Sequence, residues 1–316
     1  MNKTLIYYLE LFLFCCLFYL PVFSQLPKDA SADEKWMRVQ SDDGEFSIDV
    51  PSNYKFFSNK DGFSVSEIGS SNNYDLKSMY MLNAYVNGTL VSFESYEAKK
   101  GALSAIFAGD TYTKENLVKS SVQKLGYIIR QTIGNNGEAY FVRQYFNSKS
   151  HIYILTAASR TGETQEIRHF LDSLRLTANT VPVQDPSAIY FSKLRASDVG
   201  VEMKLEKDAS PKPQKTPVTA TEKDDDKTKK KLAILVKQRP AYVDSARYKN
   251  VSGTIRVKAT FSDDGYIPKI TVLQTIPEGL LRQVLFAAIR IKFLPVEKDN
   301  KRESVQKVIE YGFSIY

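Results

Sequence analysis

The chain has 316 residues, room for two domains of ordinary size. Hydrophobic residues at 43% and charged residues at 25% are ordinary globular usage. The net charge of +7 is spread along the chain. Without a clustered basic stripe or a recognisable motif, it reads as solvated surface and excludes nucleic acid as a partner.

Residues 5–24 are nearly all apolar, with Lys3 before them, Glu10 within them and Pro21 near the end. A cut after Val22-Phe23-Ser24, ahead of Gln25, makes residues 1–24 a secretory signal peptide. The alternative is an uncleaved membrane anchor, which Glu10 and Pro21 oppose. Both cysteines, Cys15 and Cys16, lie in this segment. Its removal leaves no disulfide and no thiolate metal site.

Residues 34–177 read as an α+β domain built on an antiparallel sheet. Phe46-Ser47-Ile48-Asp49-Val50 alternates and stops at Pro51. Asn87-Gly88, between β-rich runs 79–86 and 89–96, is a strong hairpin signal. Residues 115–125 carry Leu117, Val118, Val122 and Leu125 at helical spacing, with Gly126 as a C-cap. Runs 127–133, 139–146 and 152–158, separated by short polar turns, form a meander. A helix over 163–174 closes the domain with Ile167, Phe170, Leu171 and Leu174 inward. His151 opens a strand and His169 sits in the last helix, with no second metal ligand at sequence spacing near either. Glu94 and Glu138 lie on or beside strands, but nothing in their setting marks an acid/base pair. No Gly-x-Ser-x-Gly elbow or phosphate-binding glycine loop occurs. The domain is therefore read as non-enzymatic, with no catalytic residue, metal or cofactor.

Residues 178–232 read as a disordered, extended linker. Pro211, Pro213 and Pro217 break helices, and Asp224–Asp226 oppose Lys229–Lys231. Within it, Ile189-Tyr190-Phe191 is an apolar patch placed to dock on the first domain.

Residues 233–316 are the most patterned. Ile255, Val257, Ala259 and Phe261 alternate with Thr254, Arg256, Lys258 and Thr260, giving one core face and one wet face. Asp264-Gly265 turns the chain into a strand over 266–273, whose Pro268 marks an edge or bulge. Pro277 opens a helix to about Ile291, with Leu281, Val284, Leu285 and Ala288 as its stripe. Residues 304–316 form the last strand, with Val305, Ile309, Tyr311, Phe313 and Ile315 on one face and Lys307 as the exception.

Two resemblances follow from these residues. The order of elements in 34–177, from Phe46–Pro51 to Leu171-Asp172-Ser173-Leu174, resembles the PsbP-like fold, which implies an interaction role. Residues 233–316 are similar to the C-terminal domain of TonB, a two-layer α/β module. The matching pieces are Pro240-Ala241-Tyr242, Ala246-Arg247, Ser252-Gly253-Thr254, Asp264-Gly265, Ala287-Ala288, Ile291–Pro295 and Tyr311-Gly312-Phe313. Tyr242-Val243 stands where the family has Tyr-Pro. Arg239, with Gln238 one place earlier, stands where a glutamine often precedes that pair. Residues 5–24 contain no histidine of the kind that couples TonB to its proton channel.

The resemblance implies binding of another protein, an outer-membrane TonB-dependent transporter or another envelope protein, by β-strand addition. It places the contact at Arg239, Pro240, Tyr242, Ser304, Gln306, Val308 and Glu310. The expected setting is the periplasm of a Gram-negative bacterium, with membrane contact only if residues 1–24 stay attached. The alternative function is a membrane-anchored energy transducer of the TonB type.

Overall fold

The alternation around Phe46 becomes strand β2. β1 (Trp36–Gln40) and β2 (Phe46–Pro51) are antiparallel, with Phe46, Ile48 and Val50 buried and Ser47 and Asp49 half-exposed. This computed structural model describes residues 36–58, 80–97, 118–124, 127–135, 139–147, 151–177, 187–206 and 230–314. Residues 1–24, Glu138, Val181–Val183 and 207–229 of the expected linker, and Ile315 lie outside them.

Seven strands follow: β3 (Lys55–Ser58), β4 (Tyr80–Val86), β5 (Thr89–Glu97), β6 (Val118–Lys124), β7 (Tyr127–Asn135), β8 (Tyr140–Asn147) and β9 (His151–Ser159). They form one sheet in the order β3-β4-β5-β9-β8-β7-β6. Asn87 and Gly88, both at positive φ, turn β4 into β5 as their dipeptide predicts. Residues 118–124 correct the helix expected there, pairing with β7 throughout. Val118, Ser120, Ser121 and Val122 are weak helix formers, and a waiting β-rich neighbour outweighed their helical spacing.

Both faces of this sheet are covered, so its central strands are apolar on both sides. In β9 every residue after His151 is buried. On one face lie β1, β2 and helix α1 (Gln165–Ser173), packing Phe46, Ile48, Ile167 and Phe170 against Phe93, Tyr153 and Leu155. Thr164 caps α1 by accepting from the Ile167 N–H at 3.2 Å. β10 (Arg175–Leu176) and β11 (Ile189–Tyr190) complete the smaller sheet, β10-β2-β1-β11.

Residues 187–206 correct the expected linker, because they carry structure. β11 pairs in parallel with β1, and Phe191 is buried beside Phe46. β12 (Gly200–Met203) joins the C-terminal sheet. The buried Phe191 and Leu194 and the half-buried Val201 supply the burial that the later, charged part of the segment lacks.

The remaining elements are β13 (Ala233–Val236), α2 (Asp244–Tyr248), β14 (Gly253–Phe261), β15 (Lys269–Gln274), α3 (Leu280–Ile289), β16 (Lys292–Leu294), β17 (Val296–Lys298), β18 (Lys301–Glu303) and β19 (Val305–Phe313). The alternation over 254–261 is realised, with Ile255, Val257, Ala259 and Phe261 all buried. α3 starts three residues after the expected Pro277, because Glu278 and Gly279 adopt left-handed backbone at φ 68° and 71°. The sheet order is β12-β15-β14-β19, and β13-β16 and β17-β18 are two-stranded ribbons.

Helix α3 is buried on more than its expected stripe: Phe286, Ala287 and Ile289 are also inside. A helix apolar all round has partners all round. One side packs on Val257, Ala259 and Ile309 of the C-terminal sheet, and the same core includes Tyr96, Tyr145, Ile152 and Ile154 of the seven-stranded sheet. Residues 35–316 accordingly form one compact unit. The β14–β15 turn joins the same contact. A Cβ on Gly265, at φ +77°, would meet Leu90 Cδ1 at 3.1 Å. Gly265→Ala is expected to cost more than about 1 kcal/mol, read from the midpoint of urea unfolding.

Candidate functional site

Strand β19 is the margin of its sheet among the described residues, paired with β14 alone. In a strand, successive residues send their N–H and C=O groups to opposite sides. The Gly200 N–H donates to the Pro268 carbonyl and the Lys204 N–H to the Val272 carbonyl, each at 2.9 Å, so 268 and 272 face β12. Lys269 and Thr271 then face β14, opposite Thr260 and Lys258. Val257 and Ala259 are left to face β19, opposite Ile309 and Lys307. The N–H and C=O groups of Gln306, Val308, Glu310 and Gly312 therefore point away from the sheet.

Side chains on this margin follow the pleat. Ile309, Tyr311 and Phe313 are buried towards α3, Val305 is half-buried, and Lys307 is exposed. Gln306, Val308 and Glu310 are exposed on the other face, Val308 by 47%. Glu310 pairs with Arg256 at 3.1 Å, and Gln306 bonds the Thr260 hydroxyl. Ser304 stands at the start of the strand and bonds Asp263 through both its side chain and the Asp263 N–H. At the far end, the Tyr242 hydroxyl donates to the Val251 carbonyl at 2.6 Å, and its ring lies 5.8 Å from that of Phe313. Arg239 is exposed and Pro240 half-buried. The structure thus gathers Gln306, Val308 and Glu310 on one margin, with Ser304 and Tyr242 at its two ends.

Sequence reasoning missed Lys237. It follows β13, and its ammonium donates to the outward Glu310 carbonyl at 3.1 Å while lying 4.8 Å from the Tyr311 ring centre. Its one sequence signal is position, two residues before Arg239. The Gln238 amide nitrogen and the Tyr311 hydroxyl are buried with no hydrogen-bond partner among the described residues. Burial pushes the Tyr311 hydroxyl pKa up.

A second group lies where α3 meets the seven-stranded sheet. Glu94 on β5 is 0% exposed. Its carboxylate meets Lys292 Nζ at 2.9 Å and Arg290 Nη2 at 3.1 Å, and accepts from the Tyr96 hydroxyl. Lys292 also donates to Asn83 Oδ1 and contacts Met81 Sδ, each at 3.1 Å. Burial favours the neutral acid, but Lys292, Arg290 and the wholly buried Arg143 outweigh it and hold Glu94 well below the usual carboxylate range. Lys292 is lowered as well, from 10.5 to about 8, because burial outweighs the help from Glu94. The two directions agree once one carboxylate is seen to serve three cations. The group lies buried between two layers and ties β5 to the segment that follows α3.

Folding also brings Asp43, Glu45 and His151 together, with donor atoms within 4.8 Å of one another. His151 Nδ1 lies 2.9 Å from Glu45 Oε2. The β1–β2 turn and the start of β9 meet here, a proximity that 106 residues of separation hides from sequence spacing. Asp43 and His151 also line a cavity of about 200 Å³ with Tyr80, Ser95, Tyr153 and Phe191.

No family model matches the chain. No curated protein matches it. Among solved structures, it is similar to the solution structure of the Pseudomonas aeruginosa TonB C-terminal domain. That match has 25% identity over 29% of this chain and 90% of that one, with a TM-score of 0.23. A Bacteroides thetaiotaomicron crystal structure matches at 10% identity over 45% of this chain and 49% of that one, with a TM-score of 0.22.

Proposed function

We propose that this chain is a non-enzymatic binding protein whose C-terminal module takes up an extended segment of another protein alongside β19. The observation that carries this reading is the nine-residue margin Val305–Phe313, whose Gln306, Val308, Glu310 and Gly312 backbone groups point outward. Such a margin offers a ladder of donors and acceptors to a guest strand, and the exposed side chains between them supply selectivity. The resemblance of 233–316 to the TonB C-terminal domain supports an outer-membrane TonB-dependent transporter or another envelope protein as the partner. The apolar run 5–24 supports export to the periplasm, and a mature N-terminus at Gln25 is the expected result of protein sequencing.

Residues 35–316 should be titrated with peptides from the N-terminal segments of such transporters. Binding is expected to protect the amides of 306, 308, 310 and 312 from exchange. Val308→Pro removes one outward donor yet leaves the β14 ladder whole, as prolines on sheet margins do. It should abolish binding while changing thermal stability little. Binding that leaves these four amides untouched, or that survives Val308→Pro, overturns strand addition.

A further inference from the structure

We propose that Lys237 is a removable cap on this margin, and that the strand it admits carries a carboxylate at the Glu310 end. This rests on the strand-addition reading above and names the chemistry of the guest.

The outward Glu310 carbonyl is one of the acceptors that a guest strand has to engage. The Lys237 ammonium, 3.1 Å from that oxygen, stands where the guest N–H must come. Lysine on a sheet margin is a common guard against unwanted pairing. This guard reaches in from outside the strand, on the segment after β13, and leans on the Tyr311 ring. It can therefore leave without disturbing the β14–β19 ladder.

Displacement takes a half-buried cation away from an acceptor, so a guest that replaces that acceptor is favoured over one that does not. A carboxylate does so with a charge-assisted bond. The surrounding charge has the matching sign. Arg239 is exposed two residues after Lys237, and the Glu310 carboxylate is already engaged by Arg256. Towards Ser304, Asp263 and Asp264 are exposed at the turn, with Lys55 3.9 Å from Asp264 and Arg302 donating to the Asp263 carbonyl, so both of these cations are already matched. Lys237 thus assigns the guest's acidic residue to the Glu310 end of the groove.

The test is selection of twelve-residue peptides from a random library on residues 35–316, keeping binders that protect the amides of 306–312. Wild-type binders should carry Asp or Glu at one recurring position. Lys237→Met should bind such a peptide about tenfold more weakly, the equivalent of one charge-assisted bond, and its Gln-substituted version no more weakly than wild type does. Lys237→Glu should select Lys or Arg at that position. An unchanged charge preference in both variants overturns the cap, provided that Trp36 fluorescence shows them folded. If no peptide from any of the three proteins protects these amides, strand addition itself has failed and the cap falls with it.

Discussion

Glu94→Gln is expected to lower stability by about 3–5 kcal/mol, the usual cost of removing one partner from a buried ion pair. Three cations, Lys292, Arg290 and Arg143, would remain in the interior with no carboxylate between them. The melting temperature should fall by roughly 10 °C. Adding Lys292→Met removes the cation that sits 2.9 Å from the carboxylate and should recover a good part of the loss, a coupling visible in a double-mutant cycle. A single-variant cost under about 1 kcal/mol would sink the idea that Glu94 compensates these cations.

The same group sets two pH windows. Glu94 has a folded pKa below its unfolded value of 4.5, so its contribution is complete above about pH 4.5 and drains away as pH falls further. Lys292 is depressed from 10.5 to about 8. Between those values the unfolded chain holds the extra proton, so this lysine makes stability rise with pH there. Denaturant midpoints across pH should show both limbs, the acid limb flattened in Glu94→Gln and the alkaline rise lost in Lys292→Met.

Phe293→Ala is the second large effect, expected at about 3–5 kcal/mol for a buried phenylalanine. Phe293 is wholly buried, with its ring edge-on to Phe261 at 4.8 Å. It belongs to the core that runs from the C-terminal sheet to Tyr96 and Ile154. The chain's single tryptophan, Trp36, sits far away in sequence on β1 and packs on His169. If the layers unfold together, Trp36 fluorescence should report the lowered midpoint, in step with far-UV circular dichroism. A Trp36 transition that stays at the wild-type midpoint would show that the two sheets melt separately.

Local patterns were legible where one face of an element meets water. The β14 alternation, the Asn87-Gly88 hairpin and the Phe46–Pro51 strand all follow from period-two spacing and turn chemistry. What escaped is what depends on contacts between distant segments. Phe286, Ala287 and Ile289 were in view as apolar residues off the α3 stripe, and they announce a second buried side without saying what covers it. Lys292 interrupts an apolar run, a sign of a needed partner, but 198 positions separate it from Glu94 and nothing in the spacing pairs them. Residues 118–124 show the opposite error, a short stretch fitting a helical template that its neighbour pulled into the sheet. At the proposed site, the outward residues of β19 followed from alternation, whereas Lys237 reaches it only through the fold.

The C-terminal sheet is lopsided, with the four-residue β12 at one side and the nine-residue β19 at the other. A sheet with two long flanks can polymerise by head-to-tail stacking. Two copies meeting through β19 would do so by identical flanks, related by a twofold axis, and each would use up the other's capacity. Self-association along β19 therefore ends at a closed pair, and it competes with any guest for the same place.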